Sequence, residues 1–366
     1  MSSKKPVINI VVPPVPMAFK AMQTDLFQNF LVNNEAEKEP LSNTIELWDR
    51  LPKYSVSQVE QNKMRTKEGL LPLQRRDVII KDCPYSIFIS PALLADEKGK
   101  AYYPSANEEL VEDALRKIAT LQNQCFFDER QSHCGVTFTL YQLRTELSDR
   151  GHSRSYQQII KSLYILAGAD IEIRTKQGQG VSIEKFMSLT GFTESERLDN
   201  PNSKWVGYFH SLVRKAMSRV EYRQYNYEQM MQLETHLARW LYKRLAHYWT
   251  NAGATSPITL SFAEIRSETG MLERSRTNDA VKELEAIFQK FLDISVFRSI
   301  ELIQTVRGAR NKIIDIVYEA FPHRDFIKIV KAANRRQADG KENLGGEANN
   351  GLPVKKITVV ITRRSR

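Results

Sequence analysis

The sequence predicts an α+β fold in which one supersecondary unit is built twice, and three observations predict it. Residues 136 to 155, VTFTLYQLRTELSDRGHSRS, reappear without a gap as ITLSFAEIRSETGMLERSRT at 258 to 277, a constant offset of 122. Identities fall at Thr137/Thr259, Arg144/Arg266, Glu146/Glu268, Ser153/Ser275 and Arg154/Arg276, and most other positions exchange like for like, as Val136 for Ile258 and Leu143 for Ile265. An amphipathic stretch precedes each copy and a β-patterned stretch follows it. Such self-similarity is one structural design used twice, so the question becomes what one copy builds.

Local pattern justifies each element. Ser105 and Glu108 stand three apart as a capping box, and Val111, Ala114, Leu115 and Ile118 recur at helical spacing, which predicts a helix over about 106–122. Before the second copy, Leu233, Leu237, Trp240, Leu241, Leu245 and Tyr248 form the same stripe, stopped near Asn251-Ala252-Gly253. Inside each copy a short alternating run (Val136, Phe138, Leu140; Ile258, Leu260, Phe262) leads into a short helix, a polar turn and a second helix. That second helix is marked by Ile159, Leu163 and Leu166, and by Val281, Leu284, Phe288 and Phe291. Ser153 to Ser155 and Ser275 to Thr277 offer hydroxyl N-caps for it. Hairpins follow: Ile171 and Ile173 before the polar turn 176–180, and Ile294 and Val296 before a longer one with Arg307 to Asn311 at its tip. Helix, strand, helix, turn, helix, hairpin is the order of a winged helix-turn-helix. The expected fold is therefore two tandem winged-helix domains, with a flexible N-terminal arm and a basic C-terminal tail.

Composition agrees with a nucleic-acid partner. The chain has 366 residues, 42% of them apolar, and a formal net charge of +10. Part of the excess is local, because residues 353–366 hold Lys355, Lys356, Arg363, Arg364 and Arg366 with no acid. A solvated tail is the bland reading of that run. Arg298, Arg307, Arg310 and Lys312 against Glu301 alone are more telling, since they fall on the expected second wing. Basic groups there suit phosphates, whose neutralisation makes binding fall steeply with salt.

Base reading is expected at the exposed start of each recognition helix, the end that enters the major groove. In the first copy these residues are Arg154, Ser155, Tyr156, Gln157 and Lys161; in the second, Arg274, Arg276, Thr277, Asn278 and Lys282. Arginine can grip guanine O6 and N7, and Asn or Gln can grip adenine N6 and N7, so Arg276 and Asn278 stand out. Ser155 and Thr277 read equally as helix caps. For the repeated Arg144 and Arg266, a salt bridge to a neighbouring Glu146 or Glu268 and a phosphate contact are both open.

Enzyme and metal readings find no support. The cysteines Cys83, Cys125 and Cys134 are irregularly spaced, and the pair His133-Cys134 lacks a fourth ligand at zinc-finger spacing, so no metal site is expected. There is no GxxxxGK[ST] loop and no HxH pair, and the carboxylates are scattered, so neither ATP-driven melting nor strand nicking is expected of this chain. No catalytic residue and no cofactor are assigned. No run approaches the length of a membrane helix and no signal-peptide pattern is seen, which predicts a cytoplasmic protein associated with DNA.

The order of elements, the VTFTLYQLRTEL segment and the HLARWLYKRLAHYW helix resemble the iteron-binding plasmid replication initiators of the TrfA and RepA type, over about residues 70–320. The resemblance implies a protein that binds short direct repeats (iterons) at an origin in double-stranded DNA, helps open the neighbouring duplex and recruits host replication proteins, including the host initiator and the replicative helicase. It also implies repression of its own promoter, copy-number control and self-association between monomer and dimer. Gln23-Thr24-Asp25-Leu26-Phe27 looks like the QxxLF form of the bacterial sliding-clamp motif, in which Leu26 and Phe27 fill an apolar pocket and the Gln23 amide fixes orientation. An anchor packing on its own domain would use the same apolar pair. A transcriptional repressor with duplicated winged helices is the rival reading, and it has no use for a clamp motif. The expected organisation is an arm and connector over 1–75, winged-helix domains over 76–215 and 216–332, and a linker with basic tail over 333–366.

Overall fold

The computed structural model describes residues 40–80, 83–120, 125–128, 133–175, 180–192 and 200–350. The clamp-like residues Gln23, Leu26 and Phe27, and the basic tail, lie outside them. The chain opens with β1 (Leu41–Ile45), α1 (Glu46–Arg50), α2 (Gln58–Met64), β2 (Gln74–Ile80), β3 (Cys83–Ser90), β4 (Ala92–Leu94), β5 (Lys100–Tyr102) and α3 (Ala106–Thr120). The first copy follows as β6 (Cys125–Asp128), β7 (His133–Thr139), α4 (Leu140–Asp149), α5 (Tyr156–Gly168), β8 (Asp170–Thr175), β9 (Val181–Lys185), β10 (Met187–Phe192) and β11 (Lys204–Phe209). Then come α6 (Ser211–Ser218), β12 (Tyr222–Asn226), α7 (Tyr227–Met231) and α8 (His236–Tyr248). The second copy is β13 (Ile258–Ser261), α9 (Phe262–Thr269), α10 (Thr277–Asp293), β14 (Phe297–Arg307) and β15 (Ile313–Pro322), followed by α11 (Arg324–Asn350). Among the described residues the chain divides into two compact units, the first holding 53–77 and 83–214, the second 40–52, 78–80 and 215–350.

In the first unit, α3, α4 and α5 enclose Leu115, Ile118, Leu143, Leu147, Ile159, Leu163 and Leu166, all buried. Capping boxes start both helices: Ser155 with Gln158 for α5, within the run of hydroxyl residues the sequence offers, and Thr139 with Gln142 for α4. At the head of α3 the Glu108 carboxylate accepts from Ser105 N and Oγ, both at 2.8 Å, and from Ser162 Oγ at 2.7 Å. It therefore fixes the start of α3 against the middle of the recognition helix α5, and burial pushes its pKa up.

The first wing differs from expectation. The hairpin that directly follows α5, β8 with β9, joins a separate sheet in the order β2-β3-β8-β9. The first copy's own strand β7 pairs instead with β11, giving the order β10-β11-β7-β6, so the β10–β11 hairpin takes the wing's place. The reason is packing on the sheet's inner face. Ile171 and Ile173 of β8 stand opposite Ile89 and Ile87 of β3, and all four are buried.

The second unit is a winged helix with sheet order β13-β15-β14. Its core is aromatic: Phe288 lies 5.1 Å from Tyr318 and 6.2 Å from Phe297 between ring centroids, and Trp249 lies 5.5 Å from Phe326. Each such buried ring contributes about 1.5–3 kcal/mol by area alone.

Residues read as arm or linker complete this second unit. Strand β1 pairs antiparallel with β12 from Leu41↔Asn226 to Ile45↔Tyr222. Behind it, the buried Arg50 hydrogen-bonds Glu268 and Tyr248, Arg244 Nε reaches Glu268 Oε2 at 2.9 Å, and Trp240 Nε1 donates to Arg50 O at 3.2 Å. Residues 40–50 are thus part of a domain core rather than a connector. The expected linker from 333 is helical through Asn350, because Phe326, Val330 and Ala333 form an apolar stripe and Asn334 and Gln337 both accept from Arg223.

Candidate nucleic-acid interface

The turn inside each helix-turn-helix sets where its recognition helix begins. In the first copy Gly151, with φ at +82°, turns the chain after α4; in the second, Gly270 at +62° closes α9. Both need the left-handed region that glycine reaches without penalty. They are not equivalent positions, since α9 stops short of its repeat counterpart and a longer turn, anchored by the buried Leu272, runs to Arg276.

The N-terminal end of α10 presents cations and an amide to solvent. Arg276 occupies the N-cap position but gives no side-chain cap, so the expected hydroxyl cap at Ser275 to Thr277 is absent and the helix start lacks a side-chain acceptor. Arg276, Asn278 and Lys282 are exposed, and among the described residues no hydrogen bond or ion pair engages their side chains. Asn278 and Lys282 stand one turn apart on one face, with Thr277 beside them half-buried. Arg274 is committed elsewhere, its guanidinium reaching Glu283 Oε2 at 2.8 Å from Nε and 2.7 Å from Nη2.

The second wing carries the other basic group. At its tip Arg310 and Asn311 both take positive φ, Gly308 N donates to Lys312 O at 2.8 Å, and Arg307 Nη1 donates to Asn311 O at 3.2 Å. This tight turn holds Arg307, Arg310 and Lys312 together and exposed. Arg298 is not with them: it sits near the far end of β14, about 30 Å away by strand rise, over the Phe321 ring at 5.5 Å.

The first copy is more self-engaged. Ser155 caps α5, accepting from Gln158 N at 3.2 Å, which is the bland alternative for that residue. Arg154 donates to Asn107 Oδ1 and to Ser153 O, both at 2.9 Å, so its charge has only neutral partners there. Tyr156 lies under the Arg144 guanidinium at 4.8 Å. Gln157 is exposed, whereas Lys161 Nζ is 2.5 Å from Glu97 Oε1. Neither repeated arginine makes the neighbour bridge weighed from the sequence: Arg144 Nε donates to Arg154 O at 3.2 Å, and Arg266 Nη2 pairs with Glu273 at 2.8 Å.

Glu97, Asn107 and Glu283 were missed as residues that decide which cations are available. One signal existed in the repeat itself, where the offset of 122 places Lys161 over Glu283. A position that carries opposite charges in two copies is poorly suited to one shared phosphate role. Among the described residues no cluster of His, Cys, Asp and Glu could hold a metal, and no helix is long and apolar enough to cross a membrane.

No protein-family model and no curated protein matches the chain. Among solved structures it is similar to domains 2 and 3 of RctB, with a TM-score of 0.45, 10% identity, and 76% of this chain and 100% of that one covered. A selenomethionine derivative of the same two domains gives a TM-score of 0.45 and 10% identity over 72% of this chain and 98% of that one. The Pi initiator protein, solved in complex with iteron DNA, gives a TM-score of 0.40 and 11% identity over 60% of this chain and 95% of that one.

Proposed function

We propose that the chain is a sequence-specific DNA-binding protein that initiates plasmid replication, binding direct repeats at an origin and recruiting host replication proteins, and that it also represses its own promoter. One observation carries the DNA-binding part. In the second unit Arg276, Asn278 and Lys282 stand exposed and unengaged at the start of α10, while Arg307, Arg310 and Lys312 stand exposed on the wing of the same unit. Side chains at a recognition-helix start read base edges and basic groups on a neighbouring element hold phosphates, so this pairing supplies both kinds of contact.

The initiating role rests on the sequence resemblance and on the clamp-like motif Gln23, Leu26 and Phe27, and the same reading includes self-association and contact with a host initiator or helicase. The test is fluorescence anisotropy with repeat-containing DNA from around the protein's own gene, over a salt series, with scrambled DNA as control. A specificity gap of several kcal/mol is expected. Equal binding to both DNAs would sink the reading.

A further inference from the structure

Lys161 projects from the outer face of α5, where the sequence offers it to DNA, yet the first unit supplies its own counter-charge. Strands β4 and β5 pair antiparallel from Ala92↔Tyr102 to Leu94↔Lys100, and the turn Ala95–Glu97 between them lies along α5. The approach is close: a Cβ on Gly168 would stand 2.9 Å from Ala92 Cβ, so glycine at 168 lets the hairpin reach the helix. Residues Leu93 to Glu97 and the α5 face around Ile160, Lys161 and Tyr164 wall an open cleft of ≈ 920 Å³. In it Glu97 Oε1 accepts from Lys161 Nζ at 2.5 Å, the ammonium sits 4.1 Å from the Tyr102 ring centroid, and Tyr102 Oη donates to the other Glu97 oxygen. Burial alone would lower the Lys161 pKa, but the hydrogen bonds to Glu97 and Tyr102 and the Glu97 charge raise it.

An ion pair whose side chains are 38% and 35% exposed contributes little to stability, so its main consequence is electrostatic. Asp96 is exposed beside it on the wall of the cleft, and the Lys100 charge also acts on Glu97. Among the described residues of the second unit no carboxylate engages Arg276 or Lys282.

Resting on the DNA-binding reading above, we propose that Glu97 withholds Lys161 from DNA, so that the first recognition helix neutralises one phosphate fewer than its sequence offers. Glu97 is a positioning residue in this scheme, acting through Lys161.

The experiment is a salt series of DNA binding by the full chain, comparing wild type with Glu97→Gln, Glu97→Ala, Lys161→Ala and the Glu97→Gln/Lys161→Ala double variant. Thermal melts show which of the two Glu97 variants keeps the fold. Removing the Glu97 charge is expected to tighten binding several-fold at low salt and to steepen the plot of log K against log salt by about 0.9, the value for one further phosphate. Lys161→Ala alone should leave the wild-type slope unchanged, and the double variant should return to that slope. A flatter slope for Lys161→Ala would show the ammonium already on DNA and overturn the inference, as would an unaltered slope in both Glu97 variants. Arg276→Ala run in parallel separates the two levels. Loss of repeat binding there with unmoved Glu97 slopes leaves the DNA reading standing and removes only the role of Glu97, whereas no repeat preference in any protein removes both.

Discussion

Ser155 and Thr277 occupy the same position in the two copies, yet only Ser155 caps its helix, through Gln158. In the second copy the N-cap is Arg276, whose side chain is free to reach outward. Arg276→Ala or Asn278→Ala is therefore expected to cost about 1–3 kcal/mol of repeat binding and to relax the sequence preference at one base pair. Competition with point-substituted repeats measures it, and an unchanged preference in the double variant would remove these residues from base reading. A second expectation concerns Glu97. Burial pushes its pKa up, but the hydrogen bonds from Lys161 and Tyr102 and the Lys161 charge outweigh that and hold it below the ordinary 4.5. A depressed carboxylate contributes stability that is full above the unfolded value and is lost as the pH falls through the folded one. The melting difference between wild type and Glu97→Gln should accordingly be constant near neutral pH and shrink as the pH drops below about 4.5. A difference that grew in acid would show that the pair is not held this way. Lys161 and Arg274 looked like unpaired cations in the sequence because a chain shows which cations exist and not which carboxylate meets them.

Two hairpins show how far local pattern reaches. β14–β15 is the second wing, as its position after α10 suggests, and its tip cations are expected to act through phosphates alone. Arg307→Ala with Arg310→Ala should weaken binding to repeat and scrambled DNA alike and flatten the salt slope by up to about 1.8, twice the value for one phosphate. Selective loss for the repeat would instead place the tip on bases. β8–β9 was equally plain as a hairpin, but its pairing was not, since alternation in Ile171 and Ile173 suits any sheet with an apolar face and β3 provides it. The segment β1–α1 was invisible as structure for a related reason: five-residue elements carry almost no periodicity, and their stability comes from β12 and from the Arg50, Glu268 and Arg244 cluster. Breaking a buried ion pair leaves a desolvated charge, so Arg50→Ala should lower the stability of the second unit by about 3 kcal/mol, the low side of the usual range because Arg244 still holds Glu268. Urea unfolding followed by tryptophan fluorescence would read it through Trp240 and Trp249, and a shift under about 1 kcal/mol would contradict a core role for residue 50.

Across the chain, the initiator reading joins a DNA-binding body to a short motif that precedes its first strand in sequence. The full chain is expected to bind the bacterial sliding clamp, and Leu26→Ala with Phe27→Ala to abolish that binding without changing affinity for repeat DNA. Clamp binding that survives this double change would remove the motif from the scheme, and absence of clamp binding in wild type would favour a repressor. The sequence by itself determined the duplication, the helices of each copy, the cap at Ser155, and the hairpin of the second wing. The helices and the cap are set by interactions within a few residues along the chain, which periodicity and capping pattern report, and the hairpin closes on the tight turn from Arg307 to Lys312. Only the tertiary structure decided which strands share a sheet, that residues 40–50 belong to the second unit, and which basic side chains remain available. Those outcomes depend on partners 64 residues apart, as Lys161 and Glu97 are, or 218 apart, as Arg50 and Glu268 are. Spacings of that length leave no periodic trace in one sequence, because it is the packed core and not the chain that brings such groups within hydrogen-bonding distance.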